Sequence, residues 1–342
     1  MMRPNRPIAA LAAALCAALA QPAAAAEEIN LYSGRHYDGD VLLYQGFEAA
    51  TGIKVNVIEG KADEIVARLE AEGEASPADV FITADAGNLW RAESKGLLQA
   101  VDSETLAARI PEAYRDPGNM WFGFSRRARI IFVAKGQIDP ALVQTYEDLA
   151  RPELKGKLCM RSGSAIYNLS LLGALIEDWG AEKAEAWAAG IVANLAKAPQ
   201  GGDTDQIKAV AAGECAVTLA NTYYFVRLAG SDKPEDKAIA DKVQAIFPDQ
   251  AGRGAHVNIS GAAVTKNAPN RAGAVKFLEY LASDEAQKYF AVGNNEYPIA
   301  DGTTGNAALD SLGAFKADPV NVAAYGKNQA EAQAIMDRVG WK

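Results

Sequence analysis

Short apolar segments alternate with amphipathic segments of helical period along most of the chain. The apolar segments have the length of β-strands and fall at residues 29–32, 52–58, 79–83, 129–134, 157–161, 215–220 and 257–265. Segments of helical period lie at residues 40–51, 64–72, 182–195, 205–212, 272–283, 285–292 and 329–339. Regular alternation of strands and helices is typical of an α/β architecture with largely parallel sheets.

The length and order of these segments predict two lobes. A chain of 342 residues is long enough for two domains, and no low-complexity linker interrupts it. We expect the chain to cross between the lobes near residues 125–134 and 256–265, because two connections suit a hinge that opens and closes on a ligand. The predicted division is residues 27–128 plus 258–308 for the N-terminal lobe and 129–257 plus 309–342 for the C-terminal lobe.

The first 26 residues have the pattern of a secretory signal peptide. Two arginines precede an apolar run that continues to Ala20, and an Ala-rich, A-x-A-like end follows. The apolar run is too short to span a bilayer comfortably. A lipoprotein signal is rejected because Leu15 stands before Cys16, where a small residue is expected. We therefore expect cleavage after Ala26 and a protein located in the periplasm.

The net negative charge of the chain limits the kinds of molecule that it is expected to bind. The formal net charge is −9, and loss of a leader with two arginines and no acidic residue changes it to −11. An acidic surface argues against nucleic acid and against anionic membrane surfaces. It is compatible with a cationic ligand.

Sequence patterns of common enzymes are missing. There is no phosphate-binding GxxxxGK[ST], no zinc-protease HExxH and no GxSxG nucleophile motif. The chain has only two histidines, His36 and His256, so a serine hydrolase or a zinc enzyme has few candidate catalytic residues. We interpret the chain as a binding protein and not as an enzyme.

Tyrosines follow the predicted strands at three places. These residues are Tyr37, with its neighbour His36, after the first strand, Tyr167 after the fifth, and Tyr223 and Tyr224 after the sixth. In open α/β sheets, ligands bind beyond the carboxyl ends of the strands, so four phenols and one imidazole can converge between the lobes. Each residue alone is more often part of the core or the surface, and it is the joint pattern that favours a site.

Ferric iron suits this set of side chains. Fe³⁺ is a hard, strongly Lewis-acidic ion, and it can deprotonate a phenol whose pKa is about 10 when unbound. His36 would bind as a neutral imidazole. Calcium and magnesium prefer carboxylates, and zinc prefers Cys, His and carboxylate ligands. Four phenolates exceed the charge of the ion, so Arg35 and Arg161 are candidates to offset the excess, with surface salt bridging as the alternative role.

Six segments of the sequence carry a family likeness. They are NLYSGRHY (30–37), TGIKVNVIEGKADE (51–64), SPADVFIT (76–83), LANTYY (219–224), HVNISGAAV (256–264) and NEYPIADG (295–302). They resemble the periplasmic ferric-iron-binding proteins of ABC importers, with the tyrosine-rich, cyanobacterial-type branch as the nearest match. The likeness covers nearly the whole mature chain.

This resemblance implies a fold, a ligand and partners. The fold is the two-lobed type II periplasmic-binding-protein fold, with two mixed or parallel sheets and a two-strand hinge. The ligand is Fe³⁺, and the family's ligand motifs fall on His36, Tyr37, Tyr167, Tyr223 and Tyr224. The partners are the permease and ATPase subunits of an ABC iron importer, and the binding protein itself is expected to be a monomer.

One position departs from the better-known branch of that family, which uses a His, a Glu, two Tyr and a bound anion. Its Glu follows the strand that matches ADVFIT, where this chain has Ala84. The adjacent Asp85 is expected to point elsewhere. The resemblance therefore implies no carboxylate ligand and no obligatory anion, with Tyr37 and Tyr167 in those places.

The family fold also bears on the two cysteines of the mature chain. It places Cys159 and Cys215 on neighbouring strands of the second lobe, which can supply the separation of about 4.4–6.8 Å between Cα atoms that a disulfide needs. An exported protein meets an oxidising compartment, where such a bond persists. We expect a disulfide between these residues, and two free buried thiols are the alternative.

Other functions are compatible with the same fold. The tyrosines could hold an oxyanion, a polyamine or another small solute, and a strong charge-transfer colour would exclude these. A periplasmic iron-storage or regulatory protein that never docks to a permease is a further alternative.

Overall fold

The computed structural model describes residues 27–35, 37–299 and 305–342. The predicted signal peptide and His36 lie outside the described residues. Nine strands are found in the described part: β1 (Glu28–Gly34), β2 (Lys54–Glu59), β3 (Val80–Ala84), β4 (Leu98–Gln99), β5 (Phe122–Ala134), β6 (Val217–Asn221), β7 (Val243–Ile246), β8 (Val257–Thr265) and β9 (Tyr297–Pro298).

Helices separate most of these strands. Those of the described residues are α1 (Asp40–Thr51), α2 (Ala62–Glu72), α3 (Ala86–Ser94), α4 (Glu104–Arg109), α5 (Ile166–Trp179), α6 (Ala181–Ala193), α7 (Asp203–Ala212), α8 (Thr222–Ala229), α9 (Pro234–Ala240), α10 (Arg271–Leu281), α11 (Asp284–Asn294), α12 (Ala307–Asp310), α13 (Ala323–Lys327) and α14 (Gln329–Val339). The helices predicted at 40–51 and 329–339 coincide with α1 and α14. None of the helices in the described ranges has the length and apolar character needed to cross a membrane.

The helix α1 shows how the sequence determines an element. Its apolar face buries Leu43, Tyr44 and Phe47, which are spaced to lie on one side of a helix. Gly52 follows the helix at φ 73° and donates its backbone N–H to the carbonyl of Glu48. Glycine adopts this left-handed conformation without steric penalty, so it ends the helix at the point where β2 begins.

The strands form an open mixed sheet in the order β2-β1-β3-β8-β5-β6. β1 pairs in parallel with β2 and with β3, and β8 pairs antiparallel with β3 and β5. Parallel neighbours joined through helices place the carboxyl ends of β1 and β3 at one edge of the sheet. Mixed strands with helices between them confirm the predicted α/β fold class.

Strand β5 is shared by two groups of strands. Its first part, from Phe122 to Ala128, pairs with β8, and its second part, from Arg129 onward, pairs with β6 and β7. The change of partner falls between Ala128 and Arg129, and β8 begins at Val257 beside the same point. Both segments that were expected to cross between lobes therefore run through this junction.

Two large apolar clusters support the two ends of the sheet. One includes Leu31, Phe47 and Phe81 around β1 and β3, and the other includes Leu171 and Trp187 on α5 and α6. The aromatic members of both clusters are almost fully buried. The strands and helices that carry the candidate site residues are therefore anchored on both sides.

The segment predicted as a strand at 157–161 forms only isolated bridges. Leu158 makes these bridges, to Leu195 and to Val217, so the segment lies beside β6 without extending the ladder. Its neighbour Cys159 is joined to Cys215 by a disulfide with a Cα–Cα distance of 5.8 Å.

Candidate metal centre

The four tyrosines predicted as ligands lie at the ends of three different segments. Tyr37 follows the carboxyl end of β1, and Tyr167 lies in the first turn of α5. Tyr223 and Tyr224 lie in the first turn of α8, which begins immediately after β6. The topology thus delivers each phenol to a strand end or a helix start, as the sequence pattern predicts. The fifth predicted ligand, His36, lies outside the described residues.

Contacts between the rings bring the four tyrosines into one group, the tyrosine cluster. The hydroxyl of Tyr223 donates a hydrogen bond to the hydroxyl of Tyr167 at 3.2 Å. The Tyr37 and Tyr223 rings meet edge to face with their centroids 5.9 Å apart. The Tyr223 and Tyr224 rings lie 4.1 Å apart. Residues that are almost 200 positions apart in the chain therefore share one small volume.

Burial raises the pKa of three of these phenols, which keeps those three protonated when no metal is bound. Tyr223 is 2% exposed and Tyr167 is 8% exposed. Desolvation raises the pKa of both hydroxyls well above the ordinary value, and the neighbouring phenols add to the rise. Desolvation also raises the pKa of Tyr37, with a further contribution from the charge of Glu296. A cation that binds to these oxygens must therefore displace protons.

Guanidinium groups lie against the tyrosine cluster. The two that the sequence suggested are present, with Arg35 4.5 Å from the centroid of the Tyr37 ring and Arg161 5.1 Å from that of Tyr167. Two more were not expected. Arg127 lies 5.8 Å from the Tyr223 ring, and Arg227 lies 5.9 Å from the same ring. These positive charges favour the ionised form of the phenols.

A buried ionic network holds Arg35 and Arg127 in place. Arg35 donates to both carboxylate oxygens of Asp40, at 2.7 and 2.9 Å. Arg127 forms an ion pair with Glu296, and Glu296 lies 3.8 Å from Arg35 and accepts a hydrogen bond from Ser125. Against desolvation by burial, Arg127 and Arg35 hold the pKa of Glu296 below its ordinary value. The network is preorganised, because both arginines and Glu296 are almost fully buried.

A second buried carboxylate, Asp203, fixes the other side of the cluster. It pairs with Arg129 at 2.9 Å and with Arg161 at 3.1 Å. It also accepts the backbone N–H of Asn221 at 2.9 Å. Asn221 is the residue before α8, so Asp203 positions the start of the helix that carries Tyr223.

Ala84 lies at the position where the family resemblance led us to compare this chain with the carboxylate-using branch. Ala84 lines a cavity of about 440 Å³ together with Arg35 and Tyr167. The neighbouring Asp85 is directed elsewhere: its Oδ1 accepts hydrogen bonds from the backbone of Gly87 at 2.8 Å and from the Ser170 hydroxyl at 2.6 Å. Its carboxylate therefore caps α3 and is engaged away from the phenols.

The donor chemistry of the cluster favours one class of ion. Over the residues that the structure describes, no group of three or more His, Cys, Asp or Glu side chains is arranged to hold a metal ion. The phenol oxygens of the tyrosine cluster are hard donors that become anionic, and positive charge is already placed around them. Such a set fits a small, highly charged cation better than a soft or divalent one.

Four charged residues around the tyrosine cluster were not predicted from the sequence. They are Arg127, Arg227, Asp203 and Glu296. A signal was available for two of them, because Arg127 is one of three arginines within the strand β5 and Glu296 lies in the NEYP segment of the family likeness. A charged residue inside a buried strand needs a partner, but the sequence does not say which acid supplies it.

Known proteins share the sequence and the structure of this chain. Residues 75–315 match the family model described as bacterial extracellular solute-binding protein. The chain is 52% identical to "Iron uptake protein A1" from Synechocystis over 316 residues, which cover 92% of this chain and 88% of that protein. It is 28% identical to the "Fe(3+)-binding periplasmic protein" of Serratia marcescens, over 98% of this chain and 97% of that protein.

Solved structures show the same arrangement of the chain. One, of Trichodesmium IdiA (FutA) "in complex with iron and citrate ligands", has 56% sequence identity and a TM-score of 0.89 and covers 92% of this chain and 100% of that chain. Apo FutA2 from Synechocystis has 46% identity and a TM-score of 0.89, over 93% of this chain and 100% of that chain.

Proposed function

We infer the function from one premise: this chain belongs to the family of bacterial extracellular solute-binding proteins. We propose that it captures ferric iron in the periplasm and delivers it to the permease and ATPase subunits of an ABC importer. Relatives that cover nearly the whole chain are named for iron uptake and for Fe³⁺ binding. On this proposal the chain is a binding subunit and not an enzyme, and it reaches the periplasm after cleavage behind Ala26.

The observation that carries the proposal is the convergence of four phenols from three segments, with Tyr167 and Tyr223 buried and Tyr37 and Tyr224 partly buried. Tyr37, Tyr167, Tyr223 and Tyr224 supply four oxygen donors, and His36, adjacent to Tyr37 in the sequence, supplies the fifth ligand. Fe³⁺ is acidic enough to displace the phenolic protons that burial otherwise retains. The citrate-containing structure belongs to a relative, and the proposal for this chain requires only the ion.

Charge balance explains why the arginines surround the site. Four phenolates and one Fe³⁺ leave a net negative charge, which is costly in a buried place unless cations lie nearby. Arg35, Arg127, Arg161 and Arg227 offset it from both sides of the cluster. Glu296 and Asp203 keep the first three arginines in fixed positions, so little reorganisation accompanies binding.

Iron capture and release require the site to open. We propose the lobe boundaries predicted from the sequence, residues 27–128 plus 258–308 and residues 129–257 plus 309–342. With that division Tyr37 belongs to one lobe and Tyr167, Tyr223 and Tyr224 to the other. The change of partner in β5 at Ala128 supports a hinge there, since β5 and β8 connect the two groups of strands.

The first test is the visible spectrum of the mature protein during titration with chelated Fe³⁺. We expect a red-orange phenolate-to-iron band that saturates at about one iron per chain, because phenolate coordinated to Fe³⁺ gives charge-transfer absorption. Tyr223→Phe removes one donor oxygen and should weaken iron binding by about tenfold or more, as expected for loss of a bond to a charged partner.

A matched control separates the site from general effects of the substitution. The Tyr280 hydroxyl has no hydrogen-bond partner in the described part of the chain, and the residue lies on α10, so Tyr280→Phe should leave iron binding unchanged. A colourless protein that takes up no iron would refute the proposal and favour an oxyanion, a polyamine or another small solute. Equal iron affinity of Tyr223→Phe and Tyr280→Phe would refute the ligand assignment alone.

A further inference from the structure

A second cavity, separate from the tyrosine cluster, lies beside the start of β8. It has a volume of about 170 Å³, and none of its lining residues is one of the four tyrosines or their arginines. We call it the hinge cavity and define it by Tyr146, Trp179, Asp249, Arg253, His256 and Asp318. His256 immediately precedes β8, so the cavity borders the junction where the chain passes between β5 and β8.

The wall of the hinge cavity carries more negative than positive charge. Arg253 pairs with Asp178 and, at 3.0 Å, with Asp318. Glu147, which also lines the cavity, pairs with Lys183. Asp249 remains, and its carboxylate accepts only the backbone N–H of Tyr146, at 3.3 Å, with no basic side chain beside it in the described residues.

The excess of negative charge contributes to a raised pKa of Asp249. Its partial burial raises the pKa of the carboxyl to about 6, and the charges of Glu147, Asp148 and Asp318 contribute to the rise. A carboxylate held among other carboxylates is stabilised by any cation that enters the cavity. The position therefore lacks a positive partner, which a ligand can supply.

His256 provides an independent polar group at the same cavity. It is 2% exposed, and its Nδ1 has no hydrogen-bond partner in the described part of the chain. Burial, together with the positive charge of Arg129, lowers the pKa of His256 to about 3, so the imidazole is neutral. A neutral imidazole has one nitrogen that accepts and one that donates a hydrogen bond, and a buried group of this kind normally has a partner.

Aromatic side chains complete the cavity. Tyr146 and Trp179 both line it. The ammonium of Lys183 already lies 4.8 Å from the centroid of the Trp179 ring, which shows that this indole accommodates an ammonium group. Aromatic faces attract cations when these are partly removed from water.

We propose that the hinge cavity binds a small organic cation with a primary ammonium group. The ammonium has three N–H donors, enough to reach the Asp249 carboxylate and the imidazole of His256 while its alkyl part contacts the aromatic side chains. A metal ion is a poorer occupant, because the described residues contain no cluster of three or more His, Cys, Asp or Glu suited to one. An anion would meet the excess of carboxylates.

Occupation of this cavity would act on the strand junction. The Tyr146 hydroxyl donates to the backbone carbonyl of Arg129 on β5 at 2.6 Å and accepts the backbone N–H of His256 at 3.0 Å. The same two cavity residues thus connect the two crossing strands. If the proposed iron function holds, binding of the ammonium ligand changes the rate at which a chelator removes iron from the protein. Only this consequence depends on the iron function; the binding of the ammonium ligand does not.

The test uses iron-free mature protein and calorimetric titration with propylammonium chloride, with tryptophan fluorescence as a second readout. We expect saturable binding of propylammonium, and no binding of 1-propanol, which has the same chain without the charge. Tetramethylammonium, which has charge but no N–H donor, should bind at least about tenfold more weakly, because it cannot hydrogen-bond to the carboxylate. Absence of saturable propylammonium binding, or equal binding of propanol, would overturn the proposal.

Substitutions test whether propylammonium binds in the hinge cavity. Asp249→Asn removes the unpaired charge and should weaken propylammonium binding by about tenfold or more. Asp205→Asn is the matched control, since the Asp205 carboxylate also accepts one backbone N–H, from Gly202 at 2.7 Å, but lies outside the cavity. Unchanged binding in Asp249→Asn, with its fold verified by circular dichroism, would also overturn the proposal. If that variant does not fold, the comparison of propylammonium, 1-propanol and tetramethylammonium on the unaltered protein still tests the proposal. That comparison does not depend on whether the protein binds iron.

Discussion

Burial raises the pKa of three phenols of the tyrosine cluster, Tyr37, Tyr167 and Tyr223, and so makes them weaker acids. Desolvation raises the pKa of Tyr167 and Tyr223 well above the ordinary value, so both are fully protonated near neutral pH in the iron-free protein. Iron binds the ionised form, and the proton and the metal therefore compete for the same oxygen. The acidities of the individual phenols together set the pH dependence of iron binding.

Iron uptake should release protons, and iron affinity should fall as the pH falls. Because the raised pKa values keep Tyr37, Tyr167 and Tyr223 protonated across the neutral range, each of these three phenols gives up a proton when it binds iron. Proton release can be counted by calorimetry in two buffers of different ionisation enthalpy. Tyr223→Phe should release about one proton fewer than the unaltered protein. Equal proton release by both would contradict phenolate ligation at Tyr223.

Arg127 should affect stability and iron binding through different partners. In Arg127→Gln, Glu296 loses its close ion pair and keeps the more distant Arg35 at 3.8 Å and the hydroxyls of Ser125 and Ser260. Breaking a buried ion pair costs about 3–5 kcal/mol, which urea unfolding would measure. Iron affinity should also fall by about tenfold or more, since a cation that faces Tyr37 and Tyr223 is lost.

A double variant separates these two effects. Arg127→Gln combined with Glu296→Gln leaves no unpaired carboxylate, so most of the stability should return. Iron binding should remain weak, because the positive charge beside the phenols is still absent. A double variant that binds iron as tightly as the unaltered protein would show that Arg127 has a structural role alone.

At the scale of residues, the sequence predicted the phenols better than the charges around them. Tyr37, Tyr167 and Tyr223 could be singled out because each follows an apolar segment, and strand ends are where ligands bind. Arg127 and Glu296 are 169 positions apart and become partners only through the pairing of β5 with β9, which Glu296 immediately precedes. Long-range ion pairs leave no local pattern, so a single sequence does not reveal them.

At the scale of elements, β5 does most to organise the molecule. It contributes Arg127 to the tyrosine cluster and Arg129 to the site of Asp203, and it exchanges strand partners between these two residues. At this junction, backbone groups form hydrogen bonds with side chains as well as with neighbouring strands. The Tyr146 hydroxyl bonds to β5 and to the residue before β8, and the Tyr325 hydroxyl donates to the carbonyl of Val257 at 2.9 Å.

Removing one of these hydroxyls should weaken the junction. Tyr146→Phe leaves the buried N–H of His256 without its partner, and an unsatisfied buried donor costs about 1–3 kcal/mol. Urea unfolding should show a loss of this size, while the phenolate-to-iron band keeps its wavelength because no ligand is altered. Tyr280→Phe serves again as the control with little expected change. Equal unfolding free energies for the two variants would mean that the Tyr146 bonds contribute nothing to the junction.

The sequence predicted poorly a segment that has no continuous strand pairing in the structure. The apolar segment at 157–161 has the composition of a strand, yet in the structure only Leu158 forms bridges. Hydrophobic period indicates that a segment is extended and buried, but ladder formation depends on the backbone groups that face it. Helices α1 and α14 could be predicted because their period is a property of the segment itself.

At the scale of the molecule, the tyrosine cluster joins segments assigned to different lobes. Tyr37 contacts Tyr223 across the proposed boundary, with 5.9 Å between ring centroids. In the iron-free protein, van der Waals and polar contacts hold these tyrosines together. On the proposed function, a metal ion bound by tyrosines of both lobes would add a crosslink and would favour a closed arrangement over an open one.

Small-angle X-ray scattering should therefore detect iron binding as compaction. We expect the radius of gyration of the mature protein to fall on addition of chelated Fe³⁺, because binding favours the closed arrangement. Tyr37→Phe combined with Tyr223→Phe removes a donor from each side and should abolish the change. A radius that stays constant during the colour titration would show that the lobes do not move on binding.

The disulfide between Cys159 and Cys215 has a mechanical consequence for release. Each cysteine lies eight positions before a tyrosine of the cluster, Tyr167 in one case and Tyr223 in the other. The disulfide therefore joins the two segments that carry these tyrosines. The hydrogen bond from the Tyr223 hydroxyl to the Tyr167 hydroxyl connects the same two segments at the cluster itself. With the lobe division proposed above, opening would move Tyr167, Tyr223 and Tyr224 together as one unit and would carry Tyr37 away on the other lobe. Release would then be asymmetric, because the ion would remain bound on the disulfide-linked side and would become exposed where Tyr37 had been.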